Sequence, residues 1–175
     1  MAWTTHRSRT VYENDFMMVL EDQVTNPGGG ENLYGHVRFK SVGVAILPID
    51  ENGDTRLVGQ SRYTLDAYSW ELPMGGAPLS EPPADAARRE LEEETGLIAG
   101  NVVELMRLHL SNSITDELGI VYVATDLQAG AMRHEETEDI TVKTLPVGEA
   151  VQMVIDGDIT DALSVAALLR YTLTA

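Results

Sequence analysis

Apolar and polar residues alternate along much of the chain, and the breaks in that alternation divide it into elements. TVYENDFMMVLEDQV, from Thr10 to Val24, carries strand-forming residues and runs into the turn-rich NPGGG at 26–30. Leu33–Lys40 and Val42–Ile49 read as two further strands, and the turn DENGD at 50–54 separates them from a strand at Leu57–Tyr63. WELP (70–73) and a Gly/Pro-rich stretch lead to a helix from about Pro83 to Glu94, where the apolar period changes to that of a helix. Strands follow at Asn101–Leu110 and Ile120–Leu127, separated by the polar loop SNSITDELG. A second polar stretch, QAGAMRHEETED (128–139), precedes a strand at Ile140–Val147. Two helices, near Glu149–Ile155 and Asp161–Thr172, close the chain. No repeat, low-complexity tract or linker interrupts this order. It predicts a single α/β domain over 1–175, and because strands and helices do not alternate regularly, a mixed sheet flanked by helices.

Composition narrows the function. The chain has 175 residues, 43% of them hydrophobic, which suffices for a proper core. Its 28 acidic residues against 12 basic give a formal charge of -16. That balance argues against a nucleic-acid polymer as partner, because phosphate backbones are bound by basic footprints. No apolar run is long enough to span a membrane, and MAWTTHRSRT lacks the apolar region of a signal peptide. With no cysteine for disulfide or thiolate chemistry, the expectation is a cytoplasmic protein. The four histidines, at 6, 36, 109 and 134, show no metal-ligand spacing.

The predicted helix at 83–94 has an odd charge distribution. Glu90, Glu92, Glu93 and Glu94 crowd its C-terminal end, where the helix dipole is already negative. Like charges three and four residues apart cost roughly a further 0.2–0.5 kcal/mol per pair. Pro82–Pro83 suit the helix start and Gly96 a left-handed cap, while Ala84, Ala87 and Leu91 form a face that can pack on the sheet. Glu90, Glu93 and Glu94 share another side, and three oxygen donors there suit a hard divalent cation such as Mg²⁺. Arg89, four residues before Glu93, can hold a carboxylate in its fork.

A longer frame surrounds this helix. Gly75, five residues, Glu81, seven residues, Arg89-Glu90-Leu91, one residue, Glu93-Glu94, one residue and Gly96-Leu97 fill every position of a pattern from 75 to 97. That pattern resembles the complete signature of the Nudix hydrolases. The resemblance implies an α/β/α sandwich around a mixed sheet, with Mg²⁺- or Mn²⁺-dependent hydrolysis of a nucleoside diphosphate linked to another group. It implies metal ligation by Glu90, Glu94 and Glu93, and by the backbone carbonyl of Met74. Arg89 and Glu81 would orient the helix and the loop.

WELP and the downstream acidic loop are similar to the ADP-ribose pyrophosphatase and nucleotide-sugar branch of that family. Glu135-Glu136-Thr137-Glu138-Asp139-Ile140 matches that branch's acidic loop. The resemblance makes Glu136 the general base and Glu138 a further metal ligand, since a carboxylate near an acidified water need only remove its proton. Arg62, in GQSR at a strand end, would meet the substrate's diphosphate or ribose. Gly76 and the loop residues Ser111, Asn112, Ser113 and Glu117 complete the expected substrate contacts. Ser113 stands where the ADP-ribose enzymes typically carry a proline, which leaves room for other nucleotide sugars, GDP-mannose included. The branch also implies an N-terminal strand segment, 1–40, packing across a homodimer, with Tyr12, Phe16 and Tyr34 in it and Tyr68 and Trp70 beside the signature.

The expected reaction is therefore cleavage of a nucleoside diphosphate sugar to a nucleoside monophosphate and a sugar phosphate. A nucleoside triphosphate pyrophosphatase is the alternative enzyme, opposed by the N-terminal strands and the second acidic loop. A non-catalytic Nudix-like nucleotide-sensing module is the other alternative, opposed by the intact signature.

Overall fold

A computed structural model describes residues 2–133 and 139–174. The N-terminal strands are β1 (Thr4–Glu13), β2 (Met17–Thr25) and β3 (Glu31–Phe39). They form an antiparallel sheet in the order β1-β2-β3. One strand was expected over Thr10–Val24, but the chain breaks after Glu13. There the Asn14 side-chain oxygen accepts the amides of Phe16 and Met17 at 2.9 and 2.8 Å, an Asx turn that reverses the backbone. The pairing then carries β1 back to Thr4, through residues too polar to announce a strand.

A four-stranded sheet holds the centre. It is built from β4 (Ser41–Pro48), β7 (Met74–Pro78), β8 (Leu97–His109) and β9 (Leu118–Ala129), in the order β7-β4-β9-β8. β4 and β9 run parallel and the other pairs antiparallel, so this sheet is mixed. A separate antiparallel sheet places β5 (Asp54–Arg62) between β10 (Thr141–Pro146) and β6 (Ala67–Glu71). The strand β7 was not expected, since MGGAP shows no alternation; its backbone takes strand form by pairing with β4.

Helix α1 (Pro83–Thr95) covers one side of the central sheet, burying Ala86, Ala87 and Leu91 against Val44, Ile46, Ile120 and Tyr122. Helices α2 (Val147–Asp156) and α3 (Ala162–Thr174) join a second core with Leu47, Leu57, Leu72 and Val121, to which Ala150, Leu163, Ala167 and Leu168 contribute. The layers are thus α/β/α around mixed sheet, with the expected face of α1 inward. Among the described residues, no helix is long and apolar enough to cross a membrane.

Candidate active site

The site begins with how α1 is anchored. Its start has Pro82 at the cap and Pro83 in the first turn, where a missing N–H costs nothing. Its end is closed by Gly96 in the left-handed region at φ 67°, whose N–H returns to the Glu92 carbonyl. The segment after β9 then folds over that end. The Gly130 amide donates to the Gly96 carbonyl at 2.7 Å, and the Arg133 amide to the Glu93 carbonyl at 2.8 Å. With Ala87 and Leu91 inward, the helical period leaves Arg89, Glu90 and Glu93 facing β7 and the loop behind it.

Arg89 ties these groups together. Its Nη1 donates to Glu90 Oε1 at 2.8 Å and to Glu93 Oε2 at 3.0 Å. Its Nη2 reaches the Gly76 carbonyl at 3.3 Å and Glu81 Oε2 at 3.4 Å. Burial works against the charged guanidinium, but attraction by Glu90 and hydrogen bonds to Glu81, Glu93 and Glu90 outweigh it and hold its pKa above the ordinary value. The Glu90 carboxylate packs directly over Gly75, so closely that a Cβ there would overlap it. Gly75 is thus a glycine because a carboxylate occupies the space of a side chain.

Glu94 takes a different direction from Glu90 and Glu93. It is 2% exposed, and its Oε2 accepts the Met74 amide at 2.9 Å, pinning the end of α1 to the start of β7. Close by, Arg62 lies against Glu71: Nε donates to Oε1 at 3.0 Å, and Nη2 bonds Oε2. The hydrogen bond to Glu71 raises the Arg62 pKa despite burial, with Glu71, Glu94 and Asp161 adding attraction. Asp161 precedes α3 and accepts both the amide and the hydroxyl of Ser164 at 2.8 Å. Ser164 Oγ in turn accepts the Leu72 amide at 2.9 Å.

The loop from Ser111 to Glu117 closes another flank. The Val37 amide of β3 donates to the Ile114 carbonyl at 2.8 Å, and Phe39's amide to Asp116 Oδ1 at 2.8 Å. The Tyr34 hydroxyl donates to the Ser113 carbonyl. A cavity of about 380 Å³ lies between this loop and the N-terminal sheet, lined by Trp3, Tyr34, His36, Asn112 and Ser113 among others. Burial first, and then Asp161, push the Glu117 carboxyl pKa up.

The structure brings Gly76, Glu81, Arg89, Glu90 and Glu93 into one hydrogen-bonded cluster between α1 and β7, with Met74 and Glu94 joined to each other by a separate bond between the same two elements. Arg62 feels the attraction of Glu94 and of Asp161, while Glu117 feels the repulsion of Asp161. Ser111, Asn112 and Ser113 lie towards β3. Glu136 and Glu138 fall outside the described residues. Sequence reasoning overlooked Glu71, an acid at the buried end of β6, and Asp161, whose spacing to Ser164 is that of a helix cap.

The donor set suits a divalent cation. Glu90, Glu93 and Glu94 are hard oxygen donors, and near Arg89 the carboxylates of Glu81, Glu90 and Glu93 outnumber the cation. Among the described residues, no group of three or more acids and histidines stands ready-arranged around one ion. The reason is visible: Arg89 draws Glu90 and Glu93 to itself while Glu94 turns to Met74.

Residues 39–167 match the Nudix domain. The chain belongs to the Nudix family. Residues 3–37 match the nucleoside diphosphate sugar hydrolase N-terminal domain, so the sheet β1–β3 also has a counterpart among known proteins. Among Nudix relatives, an ADP-ribose pyrophosphatase of Mycobacterium tuberculosis is 35% identical over 168 residues, covering 94% of this chain and 81% of that protein. A GDP-mannose pyrophosphatase of Enterobacter sp. is 36% identical over 158 residues, covering 85% and 75%. The crystal structure of an ADP compounds hydrolase superimposes with a TM-score of 0.89, covering 99% of this chain and 94% of that one. At 22% identity it is a likeness of fold.

Proposed function

We propose that this Nudix protein hydrolyses the diphosphate of a nucleoside diphosphate sugar, ADP-ribose or a relative such as GDP-mannose, to a nucleoside monophosphate and a sugar phosphate. The observation that carries this reading is the acidic end of α1. There Glu90 and Glu93 flank Arg89 at 2.8 and 3.0 Å, and Glu94 is drawn in beneath β7. The two named pyrophosphatase relatives and the matched N-terminal domain support the substrate class.

A divalent cation, Mg²⁺ or Mn²⁺, held by Glu90, Glu93, Glu94, the Met74 carbonyl and Glu138, would neutralise the diphosphate and acidify a water. Glu136 would serve as the base that takes the proton of the attacking water; the water oxygen would bond to phosphorus as the P–O–P bridge breaks, and the bridging oxygen would leave with the other phosphate. Arg89 and Glu81 keep the helix and loop in register. Arg62, Gly76, Ser111, Asn112, Ser113 and Glu117 contact the substrate. A chain of charge -16 needs a cation between itself and an anionic substrate, which suits this ligand set. The working unit is one domain, 1–175, paired as a homodimer through its N-terminal strands.

Incubation with Mg²⁺ and a panel of nucleotide sugars, with a nucleoside triphosphate as control, tests the reading. Release of nucleoside monophosphate from ADP-ribose or GDP-mannose is expected; turnover of the triphosphate alone, or of nothing, would overturn it. The Glu136→Gln variant should fold and lose about a hundredfold or more in kcat. An unchanged rate would remove Glu136 from the role of base.

A further inference from the structure

We infer that Glu71 is a positioning residue, whose buried carboxylate grips one edge of the Arg62 guanidinium and aims the other into a cleft of about 410 Å³ lined by Thr64, Leu65, Ser69, Thr160 and Asp161. The inference rests on the proposal that Arg62 contacts the substrate.

The pair is not a contact between neighbours. In the β5–β6 hairpin, Val58 faces Glu71, Gln60 faces Ser69 and Arg62 faces Ala67, all on one face by the two-residue period of a strand. Arg62 and Glu71 therefore start two registers apart, about 13 Å along the strand direction. The arginine must lie down along the hairpin face, past the small buried Ser69, to meet the glutamate.

Burial makes the arrangement costly. Glu71 is 3% exposed, whereas the Arg62 side chain keeps about a third of its surface open. A buried ion pair is often no more stable than an apolar pair of the same shape, so stability alone gives little reason for this one. Geometry gives a better reason. Nε and Nη2 are both used on Glu71, which fixes the plane of the guanidinium and leaves the Nη1 edge unclaimed by this bidentate contact. Glu94 and Asp161 also attract Arg62, so an arginine without its fork partner would have other carboxylates to turn to. The backbone just after Glu71 is itself clamped, since the Leu72 amide donates to Ser164 Oγ, which donates to Asp161. The carboxylate is thus delivered from a fixed point.

Four proteins decide the matter: the wild type, E71Q, R62M and the double variant. E71Q should raise KM for the nucleotide sugar about tenfold with kcat within twofold, as expected when a contact made equally in ground and transition states is misaligned. In the R62M background, adding E71Q should raise KM no further. An unchanged KM in E71Q, or the same penalty with and without Arg62, would overturn the inference. Should R62M or E71Q fail to fold, E71D with NMR of the arginine side chain replaces the cycle. The Arg62 Nε–H should exchange slowly in the wild type and at least tenfold faster in E71D, with KM rising in step. Fast exchange in the wild type, or an E71D KM equal to the wild-type value, overturns the inference alone. Absence of turnover by the wild type overturns the proposed activity and this inference with it.

Discussion

At the scale of the residue, Gly75 separates folding from function cleanly. A methyl group at Gly75 would overlap the Glu90 carboxylate, which is the far end of a flexible side chain. Moving it aside costs the fold little, and alanine restricts the unfolded chain more than glycine does. Gly75→Ala should therefore leave the thermal midpoint nearly unchanged. With Glu90 in its proposed role as metal ligand, a shift of an ångström can cost about a hundredfold in rate, so kcat at saturating Mg²⁺ should fall by that order. Equal losses of stability and activity would mean that Gly75 serves the strand rather than Glu90. Glu117 makes a prediction of pH dependence. Burial and Asp161 raise its folded pKa, so the folded state holds the proton more tightly than the unfolded chain. Its stabilising contribution is present below the ordinary glutamate pKa and is lost as pH rises through the folded value. Glu117→Gln, which stays neutral, should raise the thermal midpoint at pH 7.5 and leave it unchanged at pH 4. Equal shifts at both pH values would tie the effect to packing instead of charge.

At the scale of the element, the loop Ser111–Glu117 and the N-terminal sheet form one mechanical unit. Asp116 bonds the Phe39 amide through Oδ1, lies 3.5 Å from Arg38 Nε, and donates its own amide to the Val37 carbonyl at 3.2 Å. Asp116→Ala removes the side-chain part of this seam, at about 1 kcal/mol. Amide exchange at Phe39 should quicken, and KM should rise a few-fold with little change in kcat, because Ser111–Glu117 would lose its fixed position. Unaltered exchange at Phe39 would show that the backbone bonds alone hold the loop. What the sequence revealed follows from the same distinction between local and non-local causes. Helix α1 was legible to within a residue at its end because Pro83, the Ala87/Leu91 face and Gly96 are all local signals. Strand β7 and most of β1 were not, since their strand form comes from partners distant in sequence or on the far side of an Asx turn. The acids of α1 were legible as a group, but their individual directions were not. Only the fold brings Met74 to Glu94 and lays Glu90 over Gly75. Glu71 was hidden for a similar reason: its partner sits two registers away across a hairpin.

At the scale of the whole molecule, the N-terminal sheet exposes more apolar surface than one chain has use for. β1 is exposed at every position, and Trp3, Val11, Tyr12, Phe16 and Leu33 are each more than half exposed, Phe16 at 75%. Apolar surface gathered on one sheet and the residues flanking its strands is the mark of an interface, and here the occupant proposed is a second copy of the chain. Charge opposes that pairing, because each partner brings a formal -16. Apolar contact must outweigh the repulsion, and salt, by screening it, should strengthen the association. Light scattering at about 0.15 M salt should give about twice the 19.1 kDa of one chain, with the dimer fraction falling as salt is removed. Phe16→Glu puts a further charge among the exposed apolar residues, in the turn between β1 and β2, and should shift the balance to monomer without unfolding the central sheet, to which Phe16 does not belong. If the N-terminal strands complete the partner's site, activity of this variant should fall together with its dimer fraction and recover at protein concentrations that restore the dimer. A 19.1 kDa wild-type particle at every salt concentration would refute the pairing. A monomeric Phe16→Glu protein of full activity would instead confine the site to a single chain.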